Sequence, residues 1–118
     1  MSEETVLEIS LTLKERKINI GGVLHTVKEM TGTKRDRWMK DMSDRMKTDA
    51  TGKAVGVKNF DGLHASLIAL CLFDADDKPV PEKSIKEWPA SAQTAVFEVC
   101  QEINGLGGDE NEEAVKND

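Results

Sequence analysis

The sequence predicts an α+β fold: an N-terminal β-hairpin packed with about three α-helices, followed by a disordered acidic C-terminal tail. Three observations lead there. Alternating apolar residues flank the Gly21-Gly22 pair in the first third of the chain. Apolar residues then recur at helical spacing in three later segments. Residues 109–118 hold five acids and one Lys, with little that could be buried. A chain of 118 residues suffices for one core and not for two, so residues 1–106 are expected to form a single domain and 107–118 the tail.

Taken in order, Leu7, Ile9, Leu11 and Leu13 alternate with Glu8, Ser10 and Thr12, the period of a half-buried strand. Ile18 and Ile20 precede the two glycines, and Val23, His25 and Val27 follow them. This predicts a tight hairpin, because glycine reaches positive φ without a Cβ clash. Three strands or a long bent pair both satisfy the pattern. An isolated hairpin is marginally stable, so other elements must cover its apolar face.

Thr31-Gly32-Thr33 breaks the alternation. Thr33 is expected to cap a helix running through Met46, with Asp36 three residues on. Residues 33–47 carry six bases and three acids, so this helix is locally basic. Residues 48–58 lack any period and contain two glycines, which predicts a mobile connection. A second helix is expected from about Asn59 or Asp61 to Leu72, with Leu63, Leu67, Leu70 and Cys71 at helical spacing and apolar residues on more than one side, as in a central helix. Asp74 to Pro81 is turn-rich and cannot be crossed by a helix. A helical turn over Ser84–Trp88 leads to a last helix that starts at Pro89-Ala90 and stops at Asn104-Gly105. Its stripe is Val96, Val99, Cys100 and Ile103.

Composition excludes several functions. Aromatic residues make up 4% of the chain and Tyr is absent, so a base-stacking surface is not expected. The net charge of −6 would repel a phosphate backbone. That charge is uneven: the last ten residues hold −4 of it, leaving a nearly neutral −2 for residues 1–108. No secretory signal is visible, and the longest apolar run, Leu67–Phe73, is too short to span a bilayer. A reducing cytoplasm is the default compartment.

No constellation of residues points to catalysis or a cofactor. Cys71 and Cys100 lie within apolar runs with no ligand spacing around them, and read as buried thiols. His64 and Cys71 sit two turns apart on one helix, whereas a nucleophilic Cys–His pair draws its members from separate elements. Asp74, Asp76 and Asp77 invite a calcium reading. Pro79 replaces the glycine that such a loop requires at its sixth position, and Ile85 the Glu at its twelfth. Gly52-Lys53 imitates the end of a phosphate loop, but Lys47 stands where the first glycine belongs and Ala54 where the hydroxyl belongs.

A methionine stripe is the candidate site. Four of the five Met lie between residues 30 and 46, and Met39, Met42 and Met46 share one helix face, with Trp38 paired to Met42. Methionine adapts its shape and recurs on surfaces that accept varied partners. Either this face is the core side of the first helix, or part of it stays open for a partner helix. Trp38, Met39, Met42, Met46 and Arg35 are the candidate partner-binding residues. The bases Lys34, Arg35, Arg37 and Arg45 read as a solvated face or as steering charges for an acidic partner.

The order of segments also carries a resemblance. It comprises the strand–Gly turn–strand Ile18-Asn-Ile-Gly-Gly-Val-Leu-His-Thr-Val-Lys-Glu-Met30 and the apolar helix with its Asp-rich turn, Leu67-Ile-Ala-Leu-Cys-Leu-Phe-Asp-Ala-Asp-Asp-Lys-Pro-Val80. Ile85-Lys-Glu-Trp-Pro-Ala90 and the helix ending Ile103-Asn-Gly-Leu106 complete it. Over about residues 14–106 the chain resembles the tail assembly chaperones of long-tailed bacteriophages. Asp77 stands where a turn glycine is more usual, and Trp88 where a leucine often precedes the proline.

The resemblance implies a non-enzymatic protein without cofactors, acting in the host cytoplasm and absent from the mature virion. It implies that the chain binds the phage tape measure protein and keeps it soluble until the tail tube polymerises. A frameshifted, longer product would recruit the tail tube protein, and homo-oligomers are compatible with the family. The alternative is a small non-enzymatic adaptor that binds another folded phage or bacterial protein.

Overall fold

Two glycines set the first element pair. Gly21 and Gly22 have φ of 58° and 81°, the two positive values of a type I′ turn, whose twist suits a two-residue hairpin. They join β1 (Glu15–Ile20) to β2 (Val23–Lys28) in antiparallel register, with Ile20 opposite Val23 and Ile18 opposite His25. The structure, a computed structural model, describes residues 5–106. The acidic tail expected at 107–118 lies outside the described residues.

The sheet is completed from elsewhere in the chain. Four elements intervene: α1 (Gly32–Arg45), β3 (Met46–Thr48), β4 (Ala54–Val57) and α2 (Leu63–Cys71). The chain leaves α2 directly into β5 (Leu72–Phe73), which pairs antiparallel with β2 through Thr26–Phe73 and Val27–Leu72. The sheet order is thus β1-β2-β5. The third strand is not the expected one. Leu7–Leu13 alternates as a strand should, yet it pairs with nothing among the described residues, and Leu7, Ile9 and Leu11 are exposed. Alternation records the ability to pair; a ladder also needs a neighbouring edge.

Other boundaries shift for local reasons. Thr31, not Thr33, caps α1, its hydroxyl accepting from the Lys34 N–H at 3.3 Å. The helix stops at Arg45, so Met46 belongs to β3. The segment 48–58, expected to be a mobile connection, instead folds with Met46 and Lys47 into the hairpin β3–β4. That hairpin is almost wholly exposed and shows no apolar period. Its loop holds it: Asp49 N–H donates to the Lys53 carbonyl, while the Asp49 carboxylate accepts from the Thr51 and Lys53 N–H groups.

After β5 the chain forms α3 (Glu82–Lys86), starting two residues before the expected turn, and α4 (Ala90–Asn104). Gly105, at φ 67°, ends α4 in a Schellman motif: Leu106 N–H donates to the Gln101 carbonyl and Gly105 N–H to that of Glu102.

The core lies between the sheet and the helices. α2 is the central helix, burying Ala65, Leu67, Ile68 and Cys71 against α4 and α3. Val27 and Leu72 close it from the sheet, Ile85 from α3, and Val96, Cys100 and Ile103 from α4. Ile18 and Ile20 pack on the same core, and Arg16 reaches Glu102 of α4 at 3.0 Å, so the even-numbered residues of β1 face the helices.

Candidate functional site

The first helix is the least covered of the long elements. Of its 14 residues only Trp38 and Arg45 are buried, and these two fasten it. The Trp38 and Phe97 ring centroids lie 6.5 Å apart in an edge-on arrangement, and Phe97 of α4 stacks on His64 of α2 with centroids 4.3 Å apart. Arg45 is a polar fastener. Its Nε donates to Asp41 Oδ2 at 2.8 Å, and its Nη1 donates to the carbonyls of Asp61 (2.6 Å) and Asn59 (3.2 Å) just ahead of α2. Ser66 on α2 donates to the same Asp41 oxygen at 3.3 Å. Arg45 therefore stands apart from the solvated bases among which its sequence position grouped it.

The structure distributes the five candidate residues over different environments. Trp38 is in the core. Met42 is half-buried and packs against the core, and Met46 is half-buried in β3 opposite Val57. Met39 is 58% exposed, and Arg35 is exposed. At 3.6 residues per turn, Arg35, Met39 and Met42 lie on one side of Trp38, with Asp41 and Arg37 on the other. On that second side a cleft of about 290 Å³ runs between α1 and α2. Trp38, Ala69 and Leu70 line it together with Arg37, Asp41, Ser66 and Glu82. α1 thus carries an apolar flank on one side and a polar-rimmed apolar cleft on the other.

A second face lies on the far side of the sheet. There the Lys28 and Lys34 ammoniums sit 4.6 Å and 5.0 Å from the centre of the Phe73 ring. Lys17 donates to the Thr26 hydroxyl at 2.8 Å. Lys28 also pairs with Asp77 at 2.8 Å, which holds the Asp77 carboxyl below its ordinary range. Asp49 is likewise lowered, first by the Thr51 hydroxyl and then by the loop N–H groups.

The titratable groups singled out in the sequence are engaged structurally. Cys71 and Cys100 are fully buried. Asn104 binds this pair: its amide donates to the Cys100 carbonyl at 2.8 Å and to Cys71 Sγ at 3.4 Å, and its oxygen accepts the Met30 N–H at 2.7 Å. The neighbouring Cys71 and burial push the Cys100 thiol up, away from the thiolate that a nucleophile needs. Asp74 uses its carboxylate on the N–H groups of Asp76 and Lys78 in its own turn. Among the described residues no group of three or more His, Cys, Asp or Glu side chains could hold a metal ion, and no helix is long and apolar enough to cross a membrane.

Asn104 and Arg45 were not singled out from the sequence as structural fasteners. Asn104 beside Gly105 reads as a helix stop, and one Arg among six bases carries no mark of burial.

A three-stranded antiparallel sheet backed by a central helix and a C-terminal helix, with a loosely covered helix α1, defines a small α+β protein. No family model matches the chain, and no curated protein matches it in sequence. Among solved structures, its fold is similar to that of the tail assembly chaperone of bacteriophage HK97. The TM-score is 0.53 at 15% sequence identity, over 77% of this chain and 85% of that one.

Proposed function

We propose that this chain is a bacteriophage tail assembly chaperone. It binds apolar helical segments of the tape measure protein in the host cytoplasm and keeps them soluble until the tail tube forms around them. The observation that carries the proposal is the fold shared with the HK97 chaperone over most of both chains. The exposed flank of α1 and the cleft beside it supply a physical means.

The task is to cover apolar helical stripes reversibly, so it needs adaptable apolar surface and polar rims but no bond-breaking step. Met39 supplies an unbranched side chain that changes shape at little cost, and Met42 continues the flank inward to the core. Arg35, Arg37, Asp41 and Glu82 supply rims of both signs that orient a helix by its charges. Recruitment of the tail tube protein would fall to a frameshifted, longer product, and the protein would leave before the virion is complete.

Co-expression tests the proposal. The tape measure protein of the same phage should accumulate as a soluble complex with this chain and precipitate without it. A tape measure protein equally soluble alone would remove the need for the chaperone and overturn the assignment.

A further inference from the structure

α1 opens on cations that no acid answers. Residues 32–40 hold four bases and one acid, Asp36. Lys40 pairs with Asp44 at 3.0 Å, but among the described residues Lys34, Arg35 and Arg37 make no ion pair. The Lys34 ammonium lies 5.0 Å from the centre of the Phe73 ring, and Arg35 and Arg37 are exposed. The first turn of α1 contains no acid. Its unpaired N–H groups add partial positive charge, so the patch is more strongly positive than its side chains alone make it.

The chain's own acids leave the fold beside this patch. Asn104, the last residue of α4, accepts the Met30 N–H at 2.7 Å, and Leu106 packs against the core. Met30 is followed directly by Thr31, the cap of α1. The chain therefore leaves the described residues next to the start of α1. Only Gly107 and Gly108 separate Leu106 from Asp109-Glu110-Asn111-Glu112-Glu113, four acids in five residues. At about 3.3–3.6 Å per extended residue, the segment 107–118 can span about 40 Å, against about 21 Å for the whole of α1.

We infer that residues 109–113 fold back onto the N-terminal half of α1 in the same chain, pairing their carboxylates with Lys34 and Arg35 and covering the flank from Arg35 to Met39. The tether makes the chain's own tail the occupant. It holds the acids at a local concentration of about millimolar, whereas a separate acidic peptide would meet the same exposed, screened charges from dilute solution. The other cationic surface, Lys47, Lys53 and Lys58 of the β3–β4 hairpin, lies at the far end of α1. The consequence rests on the chaperone reading: the tail is a competitor that a partner helix displaces to reach Met39.

A nitroxide at residue 111 tests the contact. The full-length Asn111→Cys chain takes the label there, since Cys71 and Cys100 are buried. The label should broaden the amide signals of Lys34, Arg35 and Met39. The broadening should largely disappear when the four acids are neutralised together (Asp109→Asn, Glu110→Gln, Glu112→Gln, Glu113→Gln). Raising the salt from about 0.1 M to about 1 M should do the same, because the screening length falls from about 10 Å to about 3 Å. Labelled chain mixed with an isotope-enriched chain that lacks the nitroxide should give no broadening between chains. Broadening that ignores the tail's charge, that centres on Lys47, Lys53 and Lys58, or that passes equally between chains would overturn the proposal.

Binding of soluble tape measure segments reads the competition. A tail that covers the flank about nine-tenths of the time weakens binding about tenfold, so the neutralised chain should bind about tenfold tighter. Equal affinity of the two chains would overturn the covering of the flank. Segments that bind neither chain would fail the chaperone assignment instead, and the nitroxide would still decide the contact.

Discussion

Trp38 and Met39 are neighbours in sequence and opposites in role. Trp38 closes the core against Phe97, so Trp38→Ala should cost about 3–5 kcal/mol in chemical denaturation. Met39 projects into solvent, so Met39→Glu should leave the denaturation midpoint nearly unchanged while weakening capture of the tape measure protein. The helical spacing that marked the methionine stripe located one surface of α1. It could not divide that surface into core and solvent, because the division depends on Phe97 and His64, which arrive from α4 and α2. Asn104 was illegible for a similar reason. Its three partners come from two helices and the link between β2 and α1, and Asn104→Ala, which orphans the Met30 N–H, should cost about 1–3 kcal/mol. Asp77 adds a pH dependence. Its folded pKa lies below 3.8, so the stability it contributes is present above that value and lost as the pH falls through the folded pKa. An NMR titration should show its midpoint returning toward 3.8 in Lys28→Met.

At the scale of elements, two loops share one design. Asp49-Ala-Thr-Gly52-Lys53 and Asp74-Ala-Asp-Asp77-Lys78 each donate the N–H of the leading Asp to the carbonyl of the Lys, and each cap their own N–H groups with the leading carboxylate. Each also needs a left-handed residue in fourth place, Gly52 at φ 87° and Asp77 at φ 63°. The glycine expected at position 77 from the family resemblance answers that φ, and Asp tolerates it better than most residues. The second loop shows what the first can accept: Gly52→Asp should be tolerated, whereas Gly52→Val should cost about 1–2 kcal/mol in thermal unfolding. Space is not the reason, since nothing lies within 4 Å of a Cβ built at Gly52. Reading residues 48–58 as a mobile connection missed the hairpin because its strands are exposed and carry no apolar alternation. The signal was in the turn chemistry. The opposite error befell Leu7–Leu13, where the alternation is strong and no strand pairs with it among the described residues.

For the molecule as a whole, the sequence carried the order of elements well: a glycine hairpin, a basic helix, an apolar central helix, an Asp-rich turn and a capped last helix all stand where patterning put them. It did not carry the return of the chain from α2 into β5, two residues that complete the sheet and are too short to show a period. The described fold is nearly neutral, and the proposed function makes α1 its working surface. The four methionines from Met30 to Met46, in and beside α1, run from core to solvent: Met30 is in the core, Met42 and Met46 are half-buried and Met39 is exposed. Methyl NMR of the methionine-labelled chain, titrated with soluble segments of the tape measure protein, therefore tests the central claim. The Met39 methyl should move first and furthest, Met42 and Met46 less, and Met30 not at all. A complex that forms while Met39 stays in place, or that moves Met30 instead, would contradict the account.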